Sequence, residues 1–425
     1  MSKISDIHAI QVFDSRGIPT ISCKITLDDG VTAFSMVPSG ASTGTKEALE
    51  LRDNDKNYNG KGVLKAVSNI NNILSSIIIG KDPNNQNEID KALIDFDASI
   101  DKSNMGANSI LAISLANSHV AAKTQGINLY EHFGNLYENI TGDSIKTSIP
   151  VPMFNILNGG EHANNNLDIQ EFMIIPHGAK NFSEIMKWST QIYQNLKNII
   201  QDKGFSSAVG DEGGFAPNLN SNEEAITLII EAIERSNLKP GDDINIALDC
   251  AASEFFDGNH YLLKGEDKKL SSKEFSNFLS DLTKKYPITS IEDPMDENDI
   301  DGWKLITEQM GHKCQLVGDD LFVTNKNFLK QGVEEKLANS ILIKFNQIGS
   351  ITETIKTIHY ANVNNFKSII SHRSGETEDT TIADLAVGLG VGQIKTGAPC
   401  RSDRIAKYNR LLWIESESNN ILLNE

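Results

Sequence analysis

The stretch ILIKFNQIG, residues 341–349, has the pattern of a buried β-strand that ends in a charged residue. Ile341, Leu342 and Ile343 form an unbroken apolar run, and Lys344 follows them directly. A lysine is almost never fully buried unless an opposite charge pairs with it. Either the strand ends at solvent and its lysine is solvated, or Lys344 belongs to a charged cluster inside the fold. The rest of the sequence favours the second interpretation.

The chain from Pro150 onward alternates short apolar segments with amphipathic ones. Apolar strands separated by helices are typical of a parallel sheet whose faces are covered by helices. Eight such strands, with no signal that any of them reverses direction, favour a closed barrel over an open sheet. The predicted strands are 151–157, 169–175, 208–212, 244–249, 288–293, 315–320, 340–345 and 367–372.

The first part of the chain has a different texture. Apolar and polar residues alternate within three short stretches, 4–13, 18–27 and 31–37, which are separated by tight turns. This pattern predicts an antiparallel β-meander. Further on, apolar residues recur at spacings of three and four, which predicts helices. We therefore predict an N-terminal α+β domain of residues 1–138 and an α/β barrel domain of residues 139–425.

The charge balance excludes some classes of function. The chain has 57 acidic and 39 basic residues, a net charge of −18, which argues against a surface that binds nucleic acid. No apolar run is long enough to span a bilayer, and the start lacks the apolar core of a signal peptide. The four cysteines show no metal-type spacing. We expect a cytoplasmic protein without a membrane or direct nucleic-acid partner.

Charged or polar residues recur at the ends of the predicted barrel strands. A barrel of parallel strands places its active site at the carboxyl ends of those strands, so these side chains are expected to converge. For three of the carboxylates, no basic residue stands at a comparable spacing in the sequence to neutralise them. Carboxylates held together need a cation, and an all-oxygen donor set suits Mg²⁺. The alternative is that the three carboxylates act separately, each as a cap or in an ion pair of its own. The three are Asp249, Glu292 and Asp319; the other strand-end residues are Glu171, Glu212, Lys344 and His372.

Glu171 and Glu212 form a second acidic pair. Glu212 lies in GDEGG, residues 210–214, where glycines permit a tight turn, although an ordinary turn explains that motif equally well. Two neighbouring carboxylates raise the pKa of one of them, which can then act as a general acid. We predict that this pair supplies the acid of the site.

Cationic and hydroxyl residues complete the candidate site. Lys344 and Lys395 supply ammonium groups, and Arg373 with Ser374 suits a phosphate or a carboxylate. His162 lies on a Gly/Asn-rich loop, where most histidines are simply exposed. Ser42 lies in PSGASTG, residues 38–44, a flexible loop that as a lid would complete the shell of a second metal.

This inventory predicts elimination of water from a phosphorylated hydroxy acid. A lysine beside a metal and another lysine is expected to have a lowered pKa and to act as a base. Divalent metals stabilise the anion formed when a proton leaves the carbon beside a carboxylate. A protonated glutamate then delivers a proton to the leaving hydroxide.

Eleven motifs, from about residue 14 to about residue 410, resemble the blocks of the enolase family in the same order. SHRSGETED and GDEGGFAPN are highly specific, while NGGEHANNN and GFAPN are more similar to the bacterial members. The motifs are SRGIPT, VPSGASTG, NGGEHANNN, IQEFMI, GDEGGFAPN, LDCAASEF, SIEDP, VGDDLFVTN, ILIKFNQIG, SHRSGETED and QIKTGAPCRSDR.

The resemblance implies an α+β domain followed by a TIM-like barrel in the order ββαα(βα)6. It also implies reversible dehydration of 2-phosphoglycerate to phosphoenolpyruvate in glycolysis and gluconeogenesis, with two Mg²⁺ ions per active site. Lys344 would be the base at C2, and Glu212 the acid at the C3 hydroxyl, assisted by Glu171. The implied ligands are Asp249, Glu292 and Asp319 for one Mg²⁺, Ser42 for the second, Arg373 and Ser374 for the phosphate and Lys395 for the carboxylate, with His162 and His372 lining the pocket.

The resemblance further implies a homodimer or octamer and, in bacteria, a place in an RNA-degradation assembly. Ile18 and Ser22 depart from the family's usual asparagine and glutamate in a region near its dimer interface, so they bear on subunit contacts. Two alternative functions are a dehydratase of another acid and a scaffold or RNA-processing component that reuses the fold. SHRSGE and the Ser42 loop argue against the first, and the presence of Lys344 and Glu212 argues against a purely non-catalytic protein.

Overall fold

The computed structural model describes residues 2–40, 44–418 and 421–424. Its first element is a three-stranded antiparallel sheet in the order β1 (Ile4–Phe13), β2 (Pro19–Leu27) and β3 (Thr32–Met36). The turns between the strands contain Gly17 and Gly30, both at positive φ, a conformation that glycine adopts without strain. The predicted β-meander is confirmed.

Helices cover one face of this sheet. The central one, α4, is almost entirely buried because it packs on β2 and β3 and also against α3 and α5. A π-helical turn, Ile70–Leu74, joins α1 to α2. The helices are α1 (Leu64–Asn69), α2 (Ser75–Ile78), α3 (Gln86–Asp97), α4 (Ala107–Gln125) and α5 (Leu129–Thr141). The domain division after residue 138 stays a prediction.

The remaining strands build a closed eight-stranded barrel and one separate hairpin. Around the barrel the strand order is β10-β11-β12-β13-β4-β5-β6-β9, and β7 pairs with β8 outside it. The barrel strands are largely buried, as their continuous apolar sequences predict. The strands are β4 (Val151–Asn158), β5 (Glu171–Ile175), β6 (Asn245–Asp249), β7 (Tyr261–Leu263), β8 (Lys268–Leu270), β9 (Ile288–Glu292), β10 (Gln315–Gly318), β11 (Ser340–Ile343), β12 (Lys367–Ser371) and β13 (Gln393–Lys395).

Two details of the predicted barrel are wrong. β5 is antiparallel to both neighbours, β4 and β6, so one strand does reverse its direction. Residues 208–212 are not a strand, because the Gly213 turn folds this segment back on itself, with the Gly210 N–H donating to the carbonyl of Gly214. The eighth strand is β13, a three-residue segment whose length gives little sequence signal.

The helices of the barrel follow the order that the resemblance implies. Two strands and two helices, β4-β5-α6-α7, precede six strand–helix units, which confirms the predicted fold class. Several helices begin at an Asn or Ser whose side chain accepts a backbone N–H of the first turn, as in α6, α7 and α8. The helices are α6 (Phe182–Asp202), α7 (Asn222–Arg235), α8 (Ser272–Lys285), α9 (Ile300–Met310), α10 (Lys326–Glu335), α11 (Phe345–Ile348), α12 (Ile351–Val363), α13 (Thr381–Gly388) and α14 (Ser402–Glu417).

Within the described ranges, every helix is too short or too polar to cross a lipid bilayer.

Candidate active site

Acidic residues form a row across neighbouring strands at one end of the barrel. Asp249 and Glu292 are the last residues of β6 and β9, and they are partners in register. Glu171 is the first residue of β5, but because β5 runs the other way it lies at the same end and pairs in register with Asp249. The reversed strand therefore brings Glu171 to the carboxyl ends of the other strands, where barrel enzymes place their chemistry.

The predicted site residues come together in one cavity. Of those that the structure describes, all except Glu292 line it, and Glu292 contacts the buried Lys395. Ser42 lies outside the described residues. The predicted residues that line the cavity are His162, Glu171, Glu212, Asp249, Asp319, Lys344, His372, Arg373, Ser374 and Lys395.

Lys395, the last residue of β13, lies among three of the carboxylates. Its Nζ is 3.1 Å from Glu171, 3.1 Å from Asp249 and 2.9 Å from Glu292. Burial alone disfavours the ammonium, but these carboxylates outweigh it and hold the pKa of Lys395 well above its usual range. Lys395 is therefore a permanent cation at the centre of the acidic row.

Lys344 follows β11 directly and forms an ion pair with Asp319. Burial lowers its pKa, but Asp319 more than compensates, so the pKa of Lys344 lies above its ordinary value. Lys395 does lower this pKa, and Asp319 opposes it. The predicted net lowering includes the charge of a metal beside Lys344 and stays a prediction. Lys344 is a half-buried lysine, 15% exposed, that is paired with Asp319, which resolves the question raised by its strand.

Negative charge exceeds positive charge around the predicted metal ligands. Burial and the nearby Asp249 hold the pKa of Glu292 well above its usual range. Two ammonium groups, those of Lys344 and Lys395, face a larger number of carboxylates. The donor set around Asp249, Glu292 and Asp319 is oxygen-only and electron-rich, which fits a hard divalent cation such as Mg²⁺.

Asp293 and Asp320 add to this cluster. Oxygens of Asp293, Asp319 and Asp320 approach one another closely enough to share one ion. Both oxygens of Asp293, however, accept backbone N–H groups, from Asp319 at 2.9 Å and from Asp320 at 3.0 Å. Asp293 therefore orients the loop that carries Asp319, as groups behind metal ligands commonly do.

Glu171 and Glu212 lie beside two histidines. His162 Nδ1 is 3.5 Å from Glu171 Oε1 and 3.8 Å from Glu212 Oε2. His372 Nε2 is 3.3 Å from the same Glu212 oxygen, and Asn155 Nδ2 donates to it at 3.0 Å. The structure thus brings the predicted acidic pair together with both predicted histidines.

The pKa values of the two glutamates are driven in opposite directions. Burial raises the pKa of Glu171 well above its usual range, and the charges of Glu212 and Asp249 add to this effect against Lys395. Burial also opposes ionisation of Glu212, but His372 and His162 outweigh it and hold its pKa well below the usual range. The two carboxyl groups therefore lie in environments that separate their pKa values, as in pairs whose members have different roles in proton transfer.

Arg373 is buried and forms a two-point contact with Glu47. Nη1 is 2.9 Å from Glu47 Oε2 and Nη2 is 3.3 Å from Glu47 Oε1, while Nη1 also donates to Asn346 Oδ1 at 3.1 Å. A carboxylate therefore occupies the donor edge of the guanidinium that was predicted to bind an anion. Ser374 follows Arg373 in the cavity wall.

Some residues of the site were not predicted. Asp293 and Asp320 directly follow Glu292 and Asp319, so the doubled acidic residues at these strand ends were an available signal. Arg404 is an arginine on the buried face of a helix, which was a second signal. Nothing in the sequence around Glu47 indicated that it would pair with a residue more than 300 positions away.

Comparison with known protein families agrees with this geometry. Residues 4–133 match the N-terminal domain of enolase, and residues 146–422 match its C-terminal TIM barrel domain. Together the two matches cover nearly the whole chain, including every described residue of the cavity wall. The chain therefore belongs to the enolase family and is a lyase of the enolase superfamily.

Proposed function

We propose that this chain catalyses the reversible dehydration of 2-phosphoglycerate to phosphoenolpyruvate. The observation that carries the proposal is the position of its base relative to Glu171, the assisting member of its acidic pair. Lys344 follows β11 and Glu171 begins β5, and these strands are separated by three strands in either direction around the barrel. A substrate in the cavity would therefore lie between an amine on one side and a carboxyl group on the other.

Lys344 is the group proposed to remove the proton from C2. Arg373 and Lys395 lower its pKa, and Asp319 opposes them. Mg²⁺, when bound by Asp249, Glu292 and Asp319, supplies positive charge that neutralises these carboxylates and favours the anion formed at the substrate. Lys344 is then left with cationic neighbours, which is the environment in which a lysine acts as a base.

Glu212 and Glu171 are proposed to deliver the proton to the hydroxyl that leaves C3. Both glutamates lie within 4 Å of His162 Nδ1, and their pKa values are shifted in opposite directions. These two observations support a pair that shares one proton. Glu171 is the member that holds this proton before substrate binds. Transfer through Glu212 to the leaving hydroxide would make Glu171 the assisting residue.

Arg373, Ser374 and Lys395 are proposed to hold the substrate. Arg373 and Ser374 bind the phosphate, which competes with the carboxylate of Glu47 for the same guanidinium. Lys395 binds the substrate carboxylate. His162 and His372 line the cavity between these groups and the acidic pair. Ser42 is proposed to bind a second Mg²⁺.

Turnover of 2-phosphoglycerate by the purified chain tests the proposal. We expect formation of phosphoenolpyruvate with Mg²⁺ and none with excess EDTA, and the same result in reverse from phosphoenolpyruvate. A 2-hydroxy acid without a phosphate is the control, because it lacks the partner of Arg373. Turnover of that acid in preference to 2-phosphoglycerate would contradict the proposal and favour a dehydratase of another substrate.

Several further properties are proposed from membership of the family. We propose that the protein binds two Mg²⁺ ions per active site, acts in glycolysis and gluconeogenesis, is cytoplasmic and forms a homodimer or an octamer. We also propose that it takes part in an RNA-degradation assembly. The division into domains of residues 1–138 and 139–425 is likewise proposed.

A further inference from the structure

One arginine, Arg404 on α14, contacts two loops of the site, the loop that carries His372 and the loop that carries Glu212. Its side chain is fully buried. Nη1 donates to Nδ1 of His372 and, at 2.6 Å, to the carbonyl of Arg373. Nη2 donates to the carbonyl of Ser374 at 2.6 Å and to that of Asp211 at 3.3 Å. The loop of His372 and the loop of Glu212 are therefore held by a single guanidinium.

The contact with His372 determines where the imidazole carries its proton. A guanidinium has only donors, so Nδ1 of His372 must accept and cannot carry a hydrogen. A neutral imidazole then carries its hydrogen on Nε2. The other tautomer would place two donors against each other at Nδ1, and a doubly protonated ring would do the same beside a buried positive charge.

Nε2 of His372 is the nitrogen that faces Glu212. It lies 3.3 Å from Oε2, the oxygen that also accepts from Asn155 at 3.0 Å. With the hydrogen on Nε2, an N–H faces the carboxylate across this distance, which is an attractive contact. With the hydrogen on Nδ1, a lone pair would face a carboxylate oxygen and repel it.

The backbone around Arg404 is shaped to hold this arrangement. Gly397 has φ +81°, and a Cβ on it would lie 2.8 Å from the carbonyl of Glu212 and 2.9 Å from Cδ of Arg404. Asp403 pairs with Nε of Arg404 at 2.8 Å and offsets its charge. A side chain at position 397 would therefore collide with both the stem of Arg404 and the backbone of Glu212.

We propose that Arg404 is a positioning residue that fixes His372 as the Nε2–H tautomer, so that the Nε2–H of His372 faces Glu212 and orients it. The effect of this role on catalysis rests on the proposed dehydration of 2-phosphoglycerate. Arg404 does not touch the substrate. It acts through His372 on the carboxyl group proposed to handle the proton at C3.

Nitrogen-15 NMR of the full chain labelled at histidine tests the tautomer directly. The His372 signals are those absent from the spectrum of His372→Gln. We expect Nε2 of His372 to have the shift of a protonated nitrogen and Nδ1 that of an unprotonated one. In Arg404→Met, which keeps much of the volume and has no donor, we expect both nitrogens to move toward intermediate shifts, as in a ring that exchanges tautomers.

Activity supplies the second measurement. Arg404→Met should lower kcat on 2-phosphoglycerate by about 10- to 100-fold, the usual effect of removing a group behind a catalytic residue, with a smaller change in KM. Arg404→Lys should restore part of kcat, because one ammonium donor can still reach Nδ1. Asp403→Asn is the control, since it keeps every guanidinium donor and should retain the wild-type tautomer.

Two results overturn the proposal. One is a hydrogen on Nδ1 of His372 in the wild-type protein, which needs no variant and holds even where Arg404→Met does not fold. The other is a folded Arg404→Met protein with the wild-type tautomer. A wild-type protein with the expected tautomer but no turnover of 2-phosphoglycerate would refute the proposed reaction and leave the role of Arg404 toward His372 intact.

Discussion

Glu47 and Arg373 form a buried ion pair between the N-terminal segment and the barrel, with nitrogen–oxygen distances of 2.9 and 3.3 Å. The guanidinium proposed to bind the substrate phosphate therefore already binds a carboxylate of the same chain. An incoming anion must compete with this internal partner. The contact also links the segment that follows the Ser42 loop to the site.

The first prediction concerns this competition. Glu47→Gln removes the competing charge and keeps the size of the side chain. Inorganic phosphate should therefore bind about tenfold more tightly, a gain in binding free energy somewhat smaller than the contribution of one charge-assisted hydrogen bond. Calorimetric titration with phosphate measures the change. Glu88→Gln is the matched control, because Glu88 is exposed and pairs with Lys81 rather than with Arg373. Equal affinity in the Glu47 variant and the wild type would show that Arg373 is not the phosphate site.

The second prediction separates the base from the acid. Lys344→Ala removes the amine proposed at C2, so both dehydration and exchange of the C2 proton with solvent deuterium should be lost. Glu212→Gln should reduce dehydration by about 10²–10⁴-fold, the usual effect of losing general acid catalysis, while exchange at C2 continues. NMR of 2-phosphoglycerate in deuterium oxide follows both reactions.

Lys367→Ala is the matched control for the lysine variant. Lys367 begins β12 and is paired in register with Ser340, at the opposite end of the barrel strand that leads to Lys344. It is exposed, and its removal should change neither reaction. Exchange that persists in Lys344→Ala but stops in Glu212→Gln would reverse the two roles.

The third prediction concerns the metal. Mg²⁺ at about 100 times its dissociation constant should stabilise the protein by roughly 2.7 kcal/mol, because it binds only the folded chain. Asp249→Asn should largely abolish the rise in Tm, and the exposed Asp257→Asn should keep it. Thermal unfolding with and without Mg²⁺ measures this effect without any substrate. A full rise in Tm in the Asp249 variant would remove Asp249 from the metal site.

The fourth prediction concerns stability at acid pH. His132 on α5 is buried, and burial, with a smaller contribution from His119, lowers its pKa to about 4. Between its ordinary pKa of about 6.5 and pH 4, the unfolded chain binds a proton at this residue and the folded chain does not. The free energy of unfolding should therefore fall as the pH falls through this range, by up to roughly 3 kcal/mol for this histidine.

Urea unfolding between pH 4 and pH 7 checks the sign and the size of this effect. His132→Gln should show a shallower pH dependence than the wild type. Part of the dependence should remain, because burial also lowers the pKa of His372 to about 4. His312→Asn, at an exposed position, is the control and should follow the wild-type curve. An unchanged slope in the His132 variant would contradict the prediction.

Much of the barrel could be predicted because its signal is local. An apolar run such as Ile341–Ile343 must be buried, and the spacing of such runs reports the length of one strand–helix unit. Where the local signal is weak, the prediction failed: the strand Gln393–Lys395 was missed, and residues 208–212 were wrongly assigned as a strand. Three residues carry too little periodicity to indicate a strand, and an apolar–polar stretch beside glycines fits a turn as well as a strand.

The sequence by itself determined which residue types stand at the barrel ends, and so the chemistry available there. Only the tertiary structure decided how these residues pair. The reversal of β5, which brings Glu171 beside Asp249, is set by how the strand packs between its neighbours. The contacts of Lys395 with three carboxylates and of Arg404 with His372 join residues far apart in the chain. Periodicity reports the surroundings of each segment, whereas an ion pair depends on a distance of a few ångströms that only the closed barrel defines.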